Sequence, residues 1–314
     1  MQNSINKVEQ KNLNNISFFI PAYNCADTIL DSVNSIIATN FSDGDEIIIT
    51  NDGSTDGTEN ILNKLAKKYS FIKIINHKRN RGGAAARNTA IENAKHEILF
   101  CLDSDNILAP NSIQPLKNFL IDNDADCVSF QQLHFFREST NLVDEKMEFT
   151  NGLITIEHCL SHSPVPPNSG NYMFTKQSWK KAGGYPEENW LDTWGFGIRQ
   201  LFTGTKMFTM PGTFYYHRRG HESYWIRENK KGKISLTALQ ILIPFLGLLA
   251  ESSENYIMSR EGRYAWFRNL NKKPLALAQN KRQNNNQTLF ALKNYLIIKF
   301  PKITDIYSKI KKIL

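Results

Sequence analysis

Four short apolar runs, each separated from the next by a helical pattern, constrain this chain more than any other feature. "ISFFI" (16–20), "EIIIT" (46–50), "FIKII" (71–75) and "EILFCL" (97–102) are rich in strand formers. Between the first two, Ile29, Val33, Ile36 and Ile37 fall on one helical face. Ile61, Leu62 and Leu65 mark a second helix, and "GAAARNTAIENA" (83–94) a third. Strand–helix alternation with short connections predicts a Rossmann-like, mostly parallel sheet flanked by helices, an α/β fold. Ligands in such sheets bind beyond the carboxyl ends of the strands. Those ends carry "PAYN", "NDGSTDGT", the run Asn80-Arg81-Gly82-Gly83 and "DSD".

The pattern loosens after about residue 135. A proline-rich loop, "SHSPVPPNSGN" (161–171), precedes "YMFTKQSWKKAGGYPEENW" and "LDTWGFGIRQLF". The apolar stretch 236–250 is interrupted by Gln240 and Pro244 and is shorter than the roughly 20 residues a spanning helix wants, so a buried or interfacial helix is expected. An Asn/Gln-rich linker (279–287) leads to a last segment in which Ile303, Ile306, Tyr307, Ile310 and Ile313 share a face and Lys302, Lys309, Lys311 and Lys312 lie elsewhere. A basic amphipathic helix of that kind suits an anionic membrane surface, and 288–314 is the expected point of peripheral contact. The expected organisation is a loosely attached N-terminus (1–15), a main α/β domain (16–228, in halves 16–106 and 107–228) and a basic helical extension (229–314).

With 314 residues, a net charge of +8 and a pI near 9.2, the chain invites a nucleic-acid reading. Its basic residues, however, crowd the C-terminal third and are not interleaved with aromatics along a stripe, so no nucleic acid is expected. Cys25, Cys101, Cys127 and Cys159 are widely spaced, which argues against zinc and against a disulfide scaffold. The first fifteen residues are polar and hold no apolar h-region, so no signal peptide is expected and a cytoplasmic location, at most at the inner face of a membrane, fits.

Asp103 and Asp105 lie two residues apart, so in an extended segment both carboxylates point the same way. Oxygen ligation of that kind suits Mg²⁺ or Mn²⁺. Asp52 at a strand end can accept a hydrogen bond from a base N–H. Small residues at 82–86 allow close approach of backbone to a ligand, and Arg87, one turn on, can pair with phosphate. Ser54 to Thr58 read as a turn and helix cap.

Together, "FFIPAYNCADTILDSVNSI", "IIITNDGSTDGT", "NRGGAAARNTAIENAKHEILFCLDSDN" and "GNYMFTKQSWKKAGGYPE" resemble the inverting GT-A glycosyltransferases of family 2, over roughly residues 16–220. The resemblance implies a GT-A fold and transfer of a sugar from a nucleotide diphosphate donor with Mn²⁺ or Mg²⁺ bound. It assigns Pro21, Ala22, Tyr23, Asn24, Asp52, Gly83, Arg87, Asp103 and Ser104 to the nucleotide. Asp103, Asp105 and His217 go to the metal. The general base of the family follows a glycine–glycine–aromatic turn as the second of two acidic residues. Here Gly183, Gly184 and Tyr185 precede Leu191-Asp192, so leucine takes the first position and Asp192 matches the base. Trp190, Trp194 and Asn171 are assigned to the donor and acceptor sugars, and Arg218 and Arg219 to anionic groups. A UDP-sugar is the favoured donor, with GDP and dTDP sugars open. The acceptor is expected to be a bacterial surface glycan or a lipid-linked one. A nucleotidyltransferase and a non-catalytic nucleotide-sugar binder are the competing readings.

Overall fold

The computed structural model describes residues 13–187, 191–220, 234–267 and 275–278. The chain divides into two compact units. The first comprises 1–154, 164–188 and 192–221; the second comprises 155–163, 189–191 and 222–314.

In the first unit the alternating segments form as expected: β1 (Ile16–Ala22), α1 (Ile29–Ile37), β2 (Glu46–Asn51), α2 (Thr58–Lys68), β3 (Ile72–Asn76), α3 (Gly83–Glu92) and β4 (Ile98–Cys101). The strands pair in parallel in the order β3-β2-β1-β4, with Ile20 beside Ile49 and Phe18 beside Phe100. All six residues of β2 and all four of β4 are buried, as strands covered on both faces must be. One face carries Phe18, Ile47, Ile49 and Phe100, packed with Ile29, Val33 and Ile36 of α1 and Leu62 and Leu65 of α2. On the other lie Phe19, Leu99 and Cys101, all fully buried. There α3 packs on β1 and β2 through Ala85, Ala86 and Ala90, residues short enough to bring the helix axis close to the strands.

Beyond β4 the chain adds β5 (Ile107–Leu108), α4 (Ile113–Asp122), β6 (Cys127–Phe136), β7 (Val143–Glu148), β8 (Gly152–Ile154), β9 (Met173–Thr175), α6 (Lys176–Ala182), α7 (Asp192–Phe202) and β10 (Met207–Arg218); the intervening α5 (Ile156–Leu160) belongs to the second unit. These extend the same sheet to ten strands, in the order β3-β2-β1-β4-β9-β6-β10-β5 with β7 on β6 and β8 on β10. β9 runs antiparallel between β4 and β6, and β10 is parallel to β6. Pro211 and Gly212 interrupt β10, and the register with β6 shifts there, between Met210 and Phe214. That bulge lets a strand survive a residue that cannot donate to the ladder.

In the second unit, α5 (Ile156–Leu160) precedes α8 (Ile234–Leu242), α9 (Glu251–Met258) and α10 (Arg260–Phe267). The Leu160 carbonyl accepts from the Leu275 amide at 3.0 Å and from Trp266 Nε1 at 3.4 Å. No helix among the described residues is long and apolar enough to cross a membrane. The tail 288–314, expected to touch one, lies outside the described residues, as does the N-terminal segment 1–12. All four cysteines are free and buried.

Helix α7 is seated by a glycine. A Cβ added at Gly197 would collide with the ring of Pro167, in the turn Pro166–Asn168. Gly197→Ala is therefore expected to destabilise the protein by about 1–3 kcal/mol, read as a lowered urea midpoint with an unchanged slope.

Candidate functional site

The carboxyl ends of β1, β2 and β4 and the amino end of α3 converge on one side of the sheet, and each loop is tied to its neighbour. After β1, Tyr23 keeps 40% of its surface exposed. Asn24 takes a left-handed backbone (φ 48°), which asparagine tolerates. Its amide donates to Ser54 Oγ at 3.0 Å, and its side-chain oxygen accepts from the Thr55 amide at 2.8 Å. Asp56 accepts from the Thr58 amide at 2.9 Å, at the start of α2, and from the Ala26 amide at 3.2 Å. Residues 54–58 thus join the first two loops. Burial pushes the Cys25 thiol up, opposed by hydrogen bonds with Ser104 and Thr58, which places Ser104 against the first loop. Pro21 and Ala22 close β1, with Ala22 buried.

Asp52 is 2% exposed. Its Oδ1 meets His77 Nδ1 at 2.6 Å and accepts from the Arg81 amide at 2.9 Å; its Oδ2 accepts from the Gly82 amide at 2.8 Å. The second ring nitrogen of His77 lies 3.0 Å from Thr89 Oγ1 on α3. The carboxylate at the end of β2 therefore latches the loop that leads into α3.

Arg87 stands at the centre. It is 7% exposed. Its Nη1 donates to Asp192 Oδ2 at 2.6 Å and its Nη2 to Asp103 Oδ1 at 2.7 Å. Asp103 Oδ2 accepts from Asn171 Nδ2 at 3.0 Å, and the Asp103 amide donates to Asn171 Oδ1 at 2.7 Å. Asn171 Nδ2 also lies 3.4 Å from Tyr215 Oη, which lies 3.4 Å from His217 Nδ1. One chain of polar contacts thus runs from Asp192 through Arg87, Asp103, Asn171 and Tyr215 to His217. The loop holding Asp105 is fixed from β10. The Arg218 amide donates to Asn106 Oδ1 at 3.1 Å, its Nε donates to the Asp105 carbonyl at 3.1 Å, and its Nη2 pairs with Asp31 at 2.9 Å. Arg219 pairs with Glu145 and lies over the Phe135 ring.

Asp192 is the first residue of α7 and 7% exposed. Burial pushes its carboxyl above the usual carboxylate range, and the Arg87 charge opposes that rise. Burial works against the charge on Arg87 too, but Asp192 and Asp103 outweigh it and keep the guanidinium protonated. Beside them the Cys101 thiol is pushed up to about 12 by burial, and burial likewise keeps the Tyr185 phenol neutral. Arg87 therefore faces two carboxylates with one charge, and Asp105 lies two residues from Asp103. Buried pairs of this kind cost about 3–5 kcal/mol to break from one side.

Trp194 is half-buried on α7, whereas Trp190 lies outside the described residues. Leu191, at the position where an acidic residue is common, is buried. Three residues that hold the site together did not emerge from the sequence: His77, Tyr215 and Asn88. Asn88 accepts from the Trp179 indole and the Tyr185 amide and donates to the Tyr185 carbonyl and to Glu187. The signal for His77 and Tyr215 was their place at or near strand ends facing the loops. Asn88 follows Arg87 directly.

Gly83 also has a role that its sequence context did not reveal. Its added Cβ would lie 2.7 Å from Arg87 Nη1 and 3.0 Å from Asp192 Oδ2, so the missing side chain makes room for the ion pair. Helix propensity alone would make Gly83→Ala stabilising by about 1 kcal/mol. The expected outcome has the opposite sign: a net loss of about 1 kcal/mol or more, measured by urea unfolding.

The glycosyl transferase family 2 model matches residues 17–225. The chain is 33% identical over 181 residues to a chondroitin synthase of Pasteurella multocida (strain Pm70), a match that covers 56% of this chain and 18% of that protein. It is 36% identical over 102 residues to a poly-beta-1,6-N-acetyl-D-glucosamine synthase of Staphylococcus epidermidis, covering 32% of this chain and 24% of that one. It is 34% identical over 152 residues to a poly(ribitol-phosphate) beta-glucosyltransferase of Bacillus spizizenii, covering 44% and 24%. In each case the match spans no more than 24% of the relative's length. Among solved structures, S. aureus TarS 1–349 in complex with UDP-GlcNAc superposes with a TM-score of 0.59 at 19% identity, covering 81% of this chain and 73% of that one. The fold is therefore the GT-A fold.

Proposed function

The chain belongs to glycosyl transferase family 2, and on that premise we propose that it transfers a sugar from a nucleotide diphosphate donor to an acceptor hydroxyl with inversion, Asp192 acting as general base. The observation that carries this reading is the buried Asp192–Arg87–Asp103 bridge at the strand ends. It sets a carboxylate of raised proton affinity beside the loops where a nucleotide binds such a sheet. In the reaction, the acceptor oxygen forms a bond to the anomeric carbon from one face while the bond to the diphosphate breaks on the other. Asp192 takes the hydroxyl proton, and the nucleoside diphosphate leaves with the bonding pair.

For the donor, Tyr23 offers an exposed ring, Pro21, Ala22 and Asn24 the first loop, and Asp52 with Gly83 the second and third. A UDP-sugar is favoured: TarS 1–349 has been solved in complex with UDP and with UDP-GlcNAc. Asp103 and Ser104 face the ribose and diphosphate side in this reading. Trp194 and Trp190 are assigned to the sugars; Asn171, fully buried with its amide engaged by Asp103, holds that aspartate in place instead.

Family 2 enzymes generally use a divalent metal. Among the described residues no three His, Cys, Asp or Glu side chains cluster closely enough to hold an ion by themselves. Mg²⁺ and Mn²⁺ are commonly held by one or two carboxylates completed by substrate phosphates, and the excess of carboxylate over guanidinium here fits such a cation. Asp105, with either Asp103 or His217, would hold it together with the substrate phosphates. When bound, the ion would offset negative charge on the leaving diphosphate.

The relatives' names, which include chondroitin, poly-N-acetylglucosamine and poly(ribitol phosphate), support a bacterial surface polymer or its lipid-linked precursor as acceptor. Contact of 288–314 with the membrane belongs to the same proposal and is supported by its basic amphipathic pattern.

Calorimetric titration of UDP, GDP and dTDP, each with Mn²⁺ and with EDTA, tests the donor. UDP is expected to bind in a metal-dependent way, and Asp105→Ala to weaken it at least about tenfold, the 1.4 kcal/mol scale of one charge-assisted contact. Binding of no nucleotide would remove the proposal. Asp192→Asn is expected to lower kcat by about 10²–10⁴ while UDP still binds. Because the base must be ionised and its pKa is raised, kcat/KM is expected to fall on the acid side through a value above that of an ordinary aspartate.

A further inference from the structure

We infer that Arg87 is a positioning residue that couples the donor site to the base, so that a change of charge at Asp192 is transmitted to the diphosphate and the reverse. The inference rests on the roles just proposed for Asp103 and Asp192. One planar guanidinium gives one nitrogen to each carboxylate, at 2.6 Å to Asp192 and 2.7 Å to Asp103. The fork is rigid, so a movement that shortens one bond lengthens the other.

The surroundings leave the group little room to escape. The Gly83 backbone closes one side, where an added Cβ would touch both Arg87 and Asp192. The Tyr185 ring stands 5.6 Å from the guanidinium carbon on another, and Tyr185 is itself stacked on Phe196 at 4.1 Å. The phenol of Tyr185 and the buried Cys101 thiol are neutral and offer no competing charge. One positive charge is therefore divided between two negative groups, and what one gains the other loses.

The two groups serve opposite ends of the proposed reaction. When Asp192 takes the acceptor proton its charge disappears, and Arg87 is left to Asp103 and to the diphosphate beside it. Positive charge thus moves toward the leaving group as negative charge develops there. No new atom is needed: the proton that leaves the acceptor oxygen causes the shift. Linkage requires the reciprocal effect, so a neutral residue 192 must tighten the binding of the nucleotide product.

Asp192→Asn imitates the protonated base, which makes the coupling measurable without an acceptor. UDP affinity in the presence of Mg²⁺ would be determined calorimetrically for the wild type, D192N, R87K and the double variant R87K/D192N. R87K keeps the positive charge, and with it the through-space field, but a single ammonium cannot reproduce the fork. D192N is expected to tighten UDP binding about three- to tenfold when Arg87 is present, and by less than about twofold in the R87K background. An equal shift in both backgrounds would assign the effect to direct charge and overturn the role of Arg87. Absence of any shift with Arg87 present would overturn the coupling itself. If the wild type bound no UDP, the nucleotide reading would fail first, and the inference with it. Should R87K fail to fold, the D103N and D103N/D192N pair asks the same question: non-additive effects on UDP binding are expected, and additive ones would overturn it.

Discussion

The buried bridge from Asp192 through Arg87 to Asp103 is the contact on which the arrangement of the first unit turns. Its three residues come from α7, α3 and the end of β4, elements separated by 16 and 105 positions in the chain. A guanidinium and two carboxylates are costly to remove from water, so the elements that carry them must be held in register by something stronger. Helix α3 supplies that through its alanines against β1 and β2, and β4 through its four buried residues. The apolar core sets the positions; the ion pair uses them.

The second half of the sheet serves the same centre from the other side. Asn171, just ahead of β9, holds Asp103 with two hydrogen bonds, one to its backbone and one to its carboxylate. β10 contributes Tyr215 and His217 on one side and Arg218 on the other, and Arg218 ties the loop of Asp105 to α1. Because β9 pairs with both β4 and β6, the loop that bears the paired aspartates cannot shift without disturbing strands on either side. This rigidity is what a site for a charged ligand requires.

The alternating half of the fold was legible because its strands are uniform apolar runs and its helices have clear periodicity. β10 was not: Pro211 and Gly212 interrupt it, and only pairing with β6 on both sides of a bulge makes it one strand. At the site, Asp103, Arg87 and Asp192 could each be picked out from sequence, but their union could not. A separation of 105 residues between Arg87 and Asp192 is a tertiary fact. Gly83 was read as space for a ligand's approach, and in the structure its space is taken by the ion pair. Asp52 was read as a base reader; that its two oxygens also hold the 77–82 loop was not legible in the sequence. Local sequence reports residue type and spacing, and it is silent on which of several partners a carboxylate will meet.

The four buried cysteines mark separate places in the chain: Cys25 in the first loop, Cys101 on β4, Cys127 on β6 and Cys159 on α5. Burial pushes Cys101 and Cys159 up to about 12 and Cys127 well above its ordinary value. The nucleophile of thiol chemistry is the thiolate, so these groups are inert while their surroundings stay closed. Each of these thiols would become reactive only where that part of the protein opened to water, so its modification would report local opening.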